Sequence, residues 1–337
     1  MKNRKTVTIS LPCWNEEENI KAIVQKIDSI FKNHLPEYQY IIQFSDNCST
    51  DNTRQILRQI CQENTHVRAI FNVSNVSGSA IHSILQADGD CCIHMASDFQ
   101  DPPELIPELI QKWENGAKVV CAIKTSSEEN AGMWRIRTLY YKIMCKFSTI
   151  PQIKHFTGFG LYDRSFIEIL RRLGDPIPTL RGIVAEYGYN VENVYYKQPV
   201  RKSGKSSKSF MKNYDYAMKS FTTYSRIIFH IATLLGMGLG IVCLLGLAII
   251  VITKLILGAY FQISHLLLAV SIFFVGAVQI FFIGFLGEYI TNINQRILKR
   301  PLAIEAERIG NWQGSQVKEE WSNPYVGFEP TENRTLQ

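Results

Sequence analysis

The chain has 337 residues, 46% of them hydrophobic and 20% charged, which is enough apolar material for a buried core and more than one domain and excludes an intrinsically disordered chain. Its net charge of +6 is a mild excess that suits anionic small ligands or an anionic membrane surface and falls short of a nucleic-acid-binding footprint. Eight cysteines stand scattered with neither a CxxC pair nor a Cys/His zinc spacing, so they read as buried, reduced thiols of a protein facing the cytosol.

The N-terminal MKNRKTVTISLP turns polar again after a short strand and lacks the apolar centre of a signal peptide. Short apolar runs at 7–12, 40–45, 67–72, 91–96 and 118–123 predict strands, and amphipathic stretches near 16–31, 51–62, 80–87 and 103–113 predict helices between them. That alternation is the rhythm of βαβ units and a mainly parallel sheet, in which ligands sit beyond the carboxyl ends of the strands. The rule selects three polar clusters: Pro12, Asn15 and Glu16 after the first strand; Asp46, Asn47, Ser49 and Asp51 after the second; Asp98, Gln100 and Asp101 after the fourth. Ser49 or Asp51 can equally cap the following helix, and Asp98 and Asp101 can equally end a strand and start the helix at the Pro-Pro pair.

Further on, residues 227–253 and 266–287 contain no Asp, Glu, Lys or Arg. Each exceeds the roughly 18 apolar residues at which a membrane-spanning helix becomes the default reading. Lys212, Lys219 and Arg226 precede the first stretch and Arg296, Lys299 and Arg300 follow the second, which places both flanks in the cytoplasm by the positive-inside rule. The expected organisation is a cytosolic α/β domain at 1–205, an amphipathic juxtamembrane segment at 206–226, a two-helix transmembrane hairpin at 227–290 and a cytosolic tail at 291–337. Localisation follows as a multi-pass protein of the inner membrane with both termini cytoplasmic. Gly236, Gly238 and Gly240 permit close helix approach and a homo-oligomer.

LPCWNEEENI, SDNCSTDNT and ASDFQDPPELI, with the closing GEYITNINQRILKRP, resemble the signature segments of the family 2 inverting glycosyltransferases. Within that family the chain is similar, over about residues 5–305, to the polyprenyl-phosphate glycosyltransferases related to dolichyl-phosphate mannose synthase. The resemblance implies a GT-A, Rossmann-like sheet domain, a nucleotide-sugar donor and a polyprenyl-phosphate acceptor at a lipid bilayer. Extension of a lipid-linked or surface glycan is the alternative within enzymes, and a catalytically silent membrane scaffold is the alternative outside them.

Carried over by position, the resemblance gives Pro12, Asn15 and Glu16 the nucleotide base and ribose, with Trp14 as an aromatic wall and Asp46 and Ser49 beside them. It makes Asp98 the last acid of an Asp-x-Asp pair and Gln100 a nearby polar ligand, together holding Mg²⁺ or Mn²⁺. Ala96 stands where the first acid is usual. A hard cation suits a departing diphosphate, and it needs few protein ligands because phosphate oxygens and water complete its shell. HFTGFGLYDR, 155–164, resembles the acceptor segment, which nominates Thr157 and Gly158 for binding and His155 and Asp163 as catalytic candidates beside Asp98 and Asp101. His155 can be structural and Asp163 can cap a helix. RKSGKSSKSFMK, 201–212, resembles the phosphate-closing loop, with Arg201, Lys205, Ser206 and Lys208 at the phosphates, and Lys124, Arg135 and Arg137 could add to them. A generic juxtamembrane basic patch is the other reading of that loop.

Overall fold

The computed structural model describes residues 4–127, 153–175, 179–199, 265–298 and 300–312, with scattered positions between 138 and 256. The chain divides into two compact units, one of 1–145, 150–209 and 299–337, the other of 146–149 and 210–298.

The first unit is built on an eight-stranded sheet in the order β7-β5-β6-β4-β1-β2-β3-β8. In chain order its elements are β1 (Thr6–Cys13), α1 (Ile20–His34), β2 (Gln39–Asp46), α2 (Thr53–Glu63), β3 (Val67–Asn72), α3 (Ser79–Leu85), β4 (Cys91–His94), α4 (Ile106–Glu114), β5 (Val119–Ser127), β6 (Phe156–Asp163), α5 (Arg164–Leu173), α6 (Leu180–Tyr187), β7 (Val191–Gln198) and β8 (Glu305–Gly310). Strands β1 to β4 pair in parallel, as do β5 and β7. Strands β6 and β8 run against their neighbours. This is the mainly parallel α/β architecture that the sequence implies.

The local reasons are plain. Val7, Ile9 and Leu11 of β1 are wholly buried on one face, while α1 buries Ile20, Ile23, Val24, Ile27, Ile30 and Phe31 at helical spacing. The other face of β1 to β3 carries Ser10, Gln43, Ser45, Arg68 and Asn72, all at most 1% exposed. Such burial is tolerated because, Asn72 Oδ1 excepted, the groups are hydrogen-bonded: Arg68 donates to Gln43 Oε1 at 2.6 Å and to Asp88 at 2.8 Å, and Gln43 donates to the Ser83 carbonyl at 2.7 Å.

Strand direction decides what reaches the functional end. In the register of β4 with β6, His94 faces Gly160 and Cys91 faces Asp163. The start of β6 therefore lies at the carboxyl end of β4, and Asp163 lies at the opposite end.

The sequence assigns 291–337 to a tail, but Glu305–Gly310 closes the sheet as β8 against β3. Its latch is ionic. Glu305 accepts from His82 Nε2 at 2.5 Å and from Arg308 at 2.7 Å, while the Trp312 ring lies 4.0 Å from the Arg68 guanidinium carbon. Of the second unit, the described residues include one long helix, α7 (His265–Ile297), within which Phe274–Ile297 is long and apolar enough to cross a membrane by length and composition. The expected first span and the juxtamembrane segment lie largely outside the described residues.

Burial pushes the Glu305 carboxyl up, but the hydrogen bonds from His82 and Arg308 outweigh it and hold it at about 2. A depressed carboxylate contributes stability above its unfolded value near 4.5 and loses it as pH falls from there toward 2. Acid titration should therefore release β8 across that window, read as a change in Trp312 fluorescence. Glu305→Gln should remove the acid dependence and cost about 2–3 kcal/mol at neutral pH in a denaturant melt.

Candidate functional site

The parallel register sets Cys13 opposite Asp46 and Ser10 opposite His94, so the loops after β1, β2 and β4 emerge at one end of the sheet. There they are stitched together. The Asn15 amide donates to Ser49 Oγ at 2.9 Å, and the Thr50 amide returns a bond to Asn15 Oδ1 at 2.8 Å. Glu16 N–H donates to Thr53 Oγ1 at 2.9 Å, the Asn52 amide donates to Glu17 Oε2 at 3.0 Å, and Ser97 Oγ donates to the Pro12 carbonyl at 3.0 Å. The Ser49 hydroxyl thus serves the neighbouring loop, whereas Asp51 accepts from the Thr53 amide at the start of α2.

Backbone strain concentrates at this end. Asn15, Cys48, Phe99 and His155 have φ of 54°, 64°, 62° and 56°, a left-handed conformation that L residues seldom adopt and that gathers at functional sites. Gly158, at φ 107°, supplies the fifth such position without a side-chain penalty.

Asp46 is completely buried and is held by Arg54, whose Nε donates at 2.6 Å, and by the Ser49 amide at 3.3 Å. Arg54 is a residue the sequence reading missed; it lies in the first turn of a helix, where nothing local marks its partner. Glu16, 7% exposed, accepts from Asn19 Nδ2 at 2.6 Å. Trp14 stands 37% exposed beside these loops.

Asp98 is 8% exposed, and its Oδ1 accepts from the Gln100 amide at 3.1 Å in a tight turn. Asp101 does not cap the following helix. Its Oδ2 accepts from the Ala96 amide at 3.0 Å and its Oδ1 from the Tyr196 hydroxyl at 2.9 Å, so it closes the turn that carries Asp98. Thr157 and Asp98 both lie near enough to bear on the phenol. Tyr196 is the second residue missed, although the alternation of buried Val194, Tyr196 and Gln198 along β7 marks it as inward-facing.

His155, Thr157, Gly158 and Lys124 gather at the same end, with the Lys124 amide donating to the His155 carbonyl at 3.4 Å. Asp163 does not. It caps α5 through the Ser165 amide at 3.0 Å and accepts from Trp113 Nε1 at 2.7 Å and Lys118 at 3.3 Å. Burial raises its carboxyl, yet these donors hold it below the usual range. The catalytic expectation for Asp163 is corrected to a structural one, because β6 runs antiparallel to β4 and carries it away. Arg135, Arg137, Arg201, Lys205, Ser206 and Lys208 lie outside the described residues.

Among the described residues no cluster of three or more His, Cys, Asp or Glu side chains could cage a metal. The oxygen donors of Asp98 and Gln100 fit a hard cation that draws the rest of its shell from water and phosphate, and they do not fit zinc or a protein-enclosed calcium.

The profile of Glycosyl transferase family 2 matches residues 8–170. The chain is 30% identical over 303 residues to a prophage-derived bactoprenol glucosyl transferase of Shigella flexneri, covering 88% of this chain and 96% of that one. It is 26% identical over 308 residues to an uncharacterized glycosyltransferase of Synechocystis sp., covering 90% and 96%. Among solved structures, glucosyl-3-phosphoglycerate synthase from Mycobacterium tuberculosis superposes with a TM-score of 0.44 at 16% identity, over 65% of this chain and 78% of that one.

Removing Arg54 leaves the Asp46 carboxylate buried without its cation. Arg54→Ala should cost about 3 kcal/mol or more in a thermal or urea melt, and Asp46→Asn in the same background should recover part of that loss. A double variant no more stable than the single one would show that Asp46 does not depend on Arg54.

Proposed function

This chain belongs to the family 2 glycosyltransferases, and from that premise we propose that it moves a single sugar, with inversion, from a nucleotide-diphosphate sugar to a polyprenyl phosphate at the cytoplasmic face of a membrane. One observation carries the reading. A nearly buried aspartate, Asp98, sits on a braced turn at the carboxyl end of β4, beside the interlocked loops of β1 and β2. Open α/β sheets bind nucleotides at such an edge. A relative at 30% identity that carries the name bactoprenol glucosyl transferase supports the polyprenyl acceptor, and the apolar stretch Phe274–Ile297 supports residence in a bilayer.

The loops after β1 and β2 would receive the base and ribose, with Pro12 and Trp14 as walls and Asn15, Glu16, Asp46 and Ser49 shaping the pocket. Asp98 and Gln100 would hold Mg²⁺ or Mn²⁺, whose charge would offset that gathering on the departing diphosphate. Lys124, Arg137, Arg201, Lys205, Ser206 and Lys208 would meet donor or acceptor phosphates, and Thr157 and Gly158 would border the acceptor. A phosphate monoester has a second pKa near ~6, so at neutral pH it attacks largely as the dianion and has no proton to surrender. His155 is then not required as a base, and this favours a lipid phosphate over a sugar hydroxyl.

The test offers purified full-length protein a panel of radiolabelled nucleotide sugars with undecaprenyl phosphate in membranes, following the label into the organic phase. One donor should label the lipid, and Asp98→Ala should lower transfer at least about 100-fold while expression and membrane insertion stay intact. Label entering a free glycan and never the lipid phosphate would reject the proposed acceptor.

A further inference from the structure

We propose that Tyr196 is a positioning residue of the transfer reaction, its hydroxyl tying the turn that carries Asp98 to β7. The inference rests on the functional reading above and adds a residue to it.

Ala96 leaves the turn with Asp98 and without the usual second acid, so the direction of one side chain decides how the donor diphosphate is met. The turn needs bracing, because Phe99 within it is held at φ 62°, a conformation that costs of the order of 1–3 kcal/mol. Asp101 supplies the inner brace by accepting from the Ala96 amide. The outer brace comes from β7, which lies beyond β5 and β6 in the sheet order. From there the Tyr196 hydroxyl donates to Asp101 Oδ1 at 2.9 Å, and Tyr196 and Asp101 are only 6% and 8% exposed.

The residue is fixed at its ring and at its backbone. Phe159 packs edge-on with centroids 5.5 Å apart, and Thr125 Oγ1 donates to the Tyr196 carbonyl at 3.0 Å. Phe159 belongs to the segment that would border the acceptor, so the same ring also touches β6. Burial, then the Asp101 carboxylate, push the phenol far above its usual range, so it remains a proton donor at any working pH. Tyr196 therefore links the turn of Asp98 to β7 by a hydrogen bond and to the segment that would border the acceptor by ring packing.

Tyr196→Phe keeps the ring and deletes the bridge. In full-length protein assayed on undecaprenyl phosphate, kcat should fall at least about tenfold, and the Mn²⁺ concentration for half-maximal activity should rise. Donor KM should stay within about threefold and the melting temperature within a few degrees. Tyr196→Phe with wild-type kcat and Mn²⁺ requirement overturns the inference alone. A loss that disappears below the melting range of the variant also overturns it, since the role would then be stability. Wild-type protein silent toward every donor removes the functional reading and this inference with it.

Discussion

A carboxylate withdrawn from water must be met by donors, and the carboxyl edge of this sheet is shaped by that demand. Asp46 is met by Arg54 and the Ser49 amide, Asp101 by the Ala96 amide and Tyr196, Asp98 by the Gln100 amide, and Glu16 by Asn19. Two of these donors, Arg54 of α2 and Tyr196 of β7, come from a different element than the acid they satisfy. Compensating the buried charge and assembling the site are consequently one process. A substitution that frees a donor at one loop disturbs the others, because the loops after β1, β2 and β4 share their hydrogen bonds.

Much of this was legible in the sequence, for reasons that differ by element. Strands β1 to β4 sit inside a parallel sheet, where burial on both faces leaves short apolar runs that stand out between amphipathic helices. The carboxyl-end rule then locates Asn15, Asp46 and Asp98 without any coordinates. Strand β8 was illegible: EAERIG is half charge, and only pairing with β3 and the His82–Glu305–Arg308 latch make it a strand. Asp163 was misplaced because a sequence does not state strand direction, and one antiparallel strand exchanges the two ends of a segment. Arg54 left no local signal at all, since its partner lies eight positions back in the preceding strand.

The C-terminal strand also changes what a domain boundary means here. Chain emerging from α7 returns after a few residues to complete the sheet of the first unit, and the Ile304 carbonyl accepts from the Val73 amide at 2.9 Å. At Gly78 a side chain would collide with the Leu302 carbonyl, 2.4 Å from where its Cβ would stand. The loop between β3 and α3 is therefore packed by residues that follow the apolar helix. That same loop is fastened to Asn47, whose Nδ2 donates to the Val76 carbonyl at 3.0 Å while its Oδ1 accepts from the Val76 amide. Asn47 adjoins Asp46, so the loop after β2 leans on the C-terminal segment.

Left-handed backbone at Asn15, Cys48, Phe99 and His155 gives the final link between stability and chemistry. Each such residue costs of the order of 1–3 kcal/mol, a sum that the buried sheet must offset. What the strain holds is a set of dipoles and donors already aimed before any ligand arrives, and preorganised polar groups need no reorientation as charge develops. On the proposed reading, with Ala96 in place of a second acid, less of the stabilisation would come from protein carboxylates around a cation and more from this fixed arrangement. A dianionic lipid phosphate suits such a site, because it brings its own nucleophilic charge and asks the protein for position more than for proton transfer.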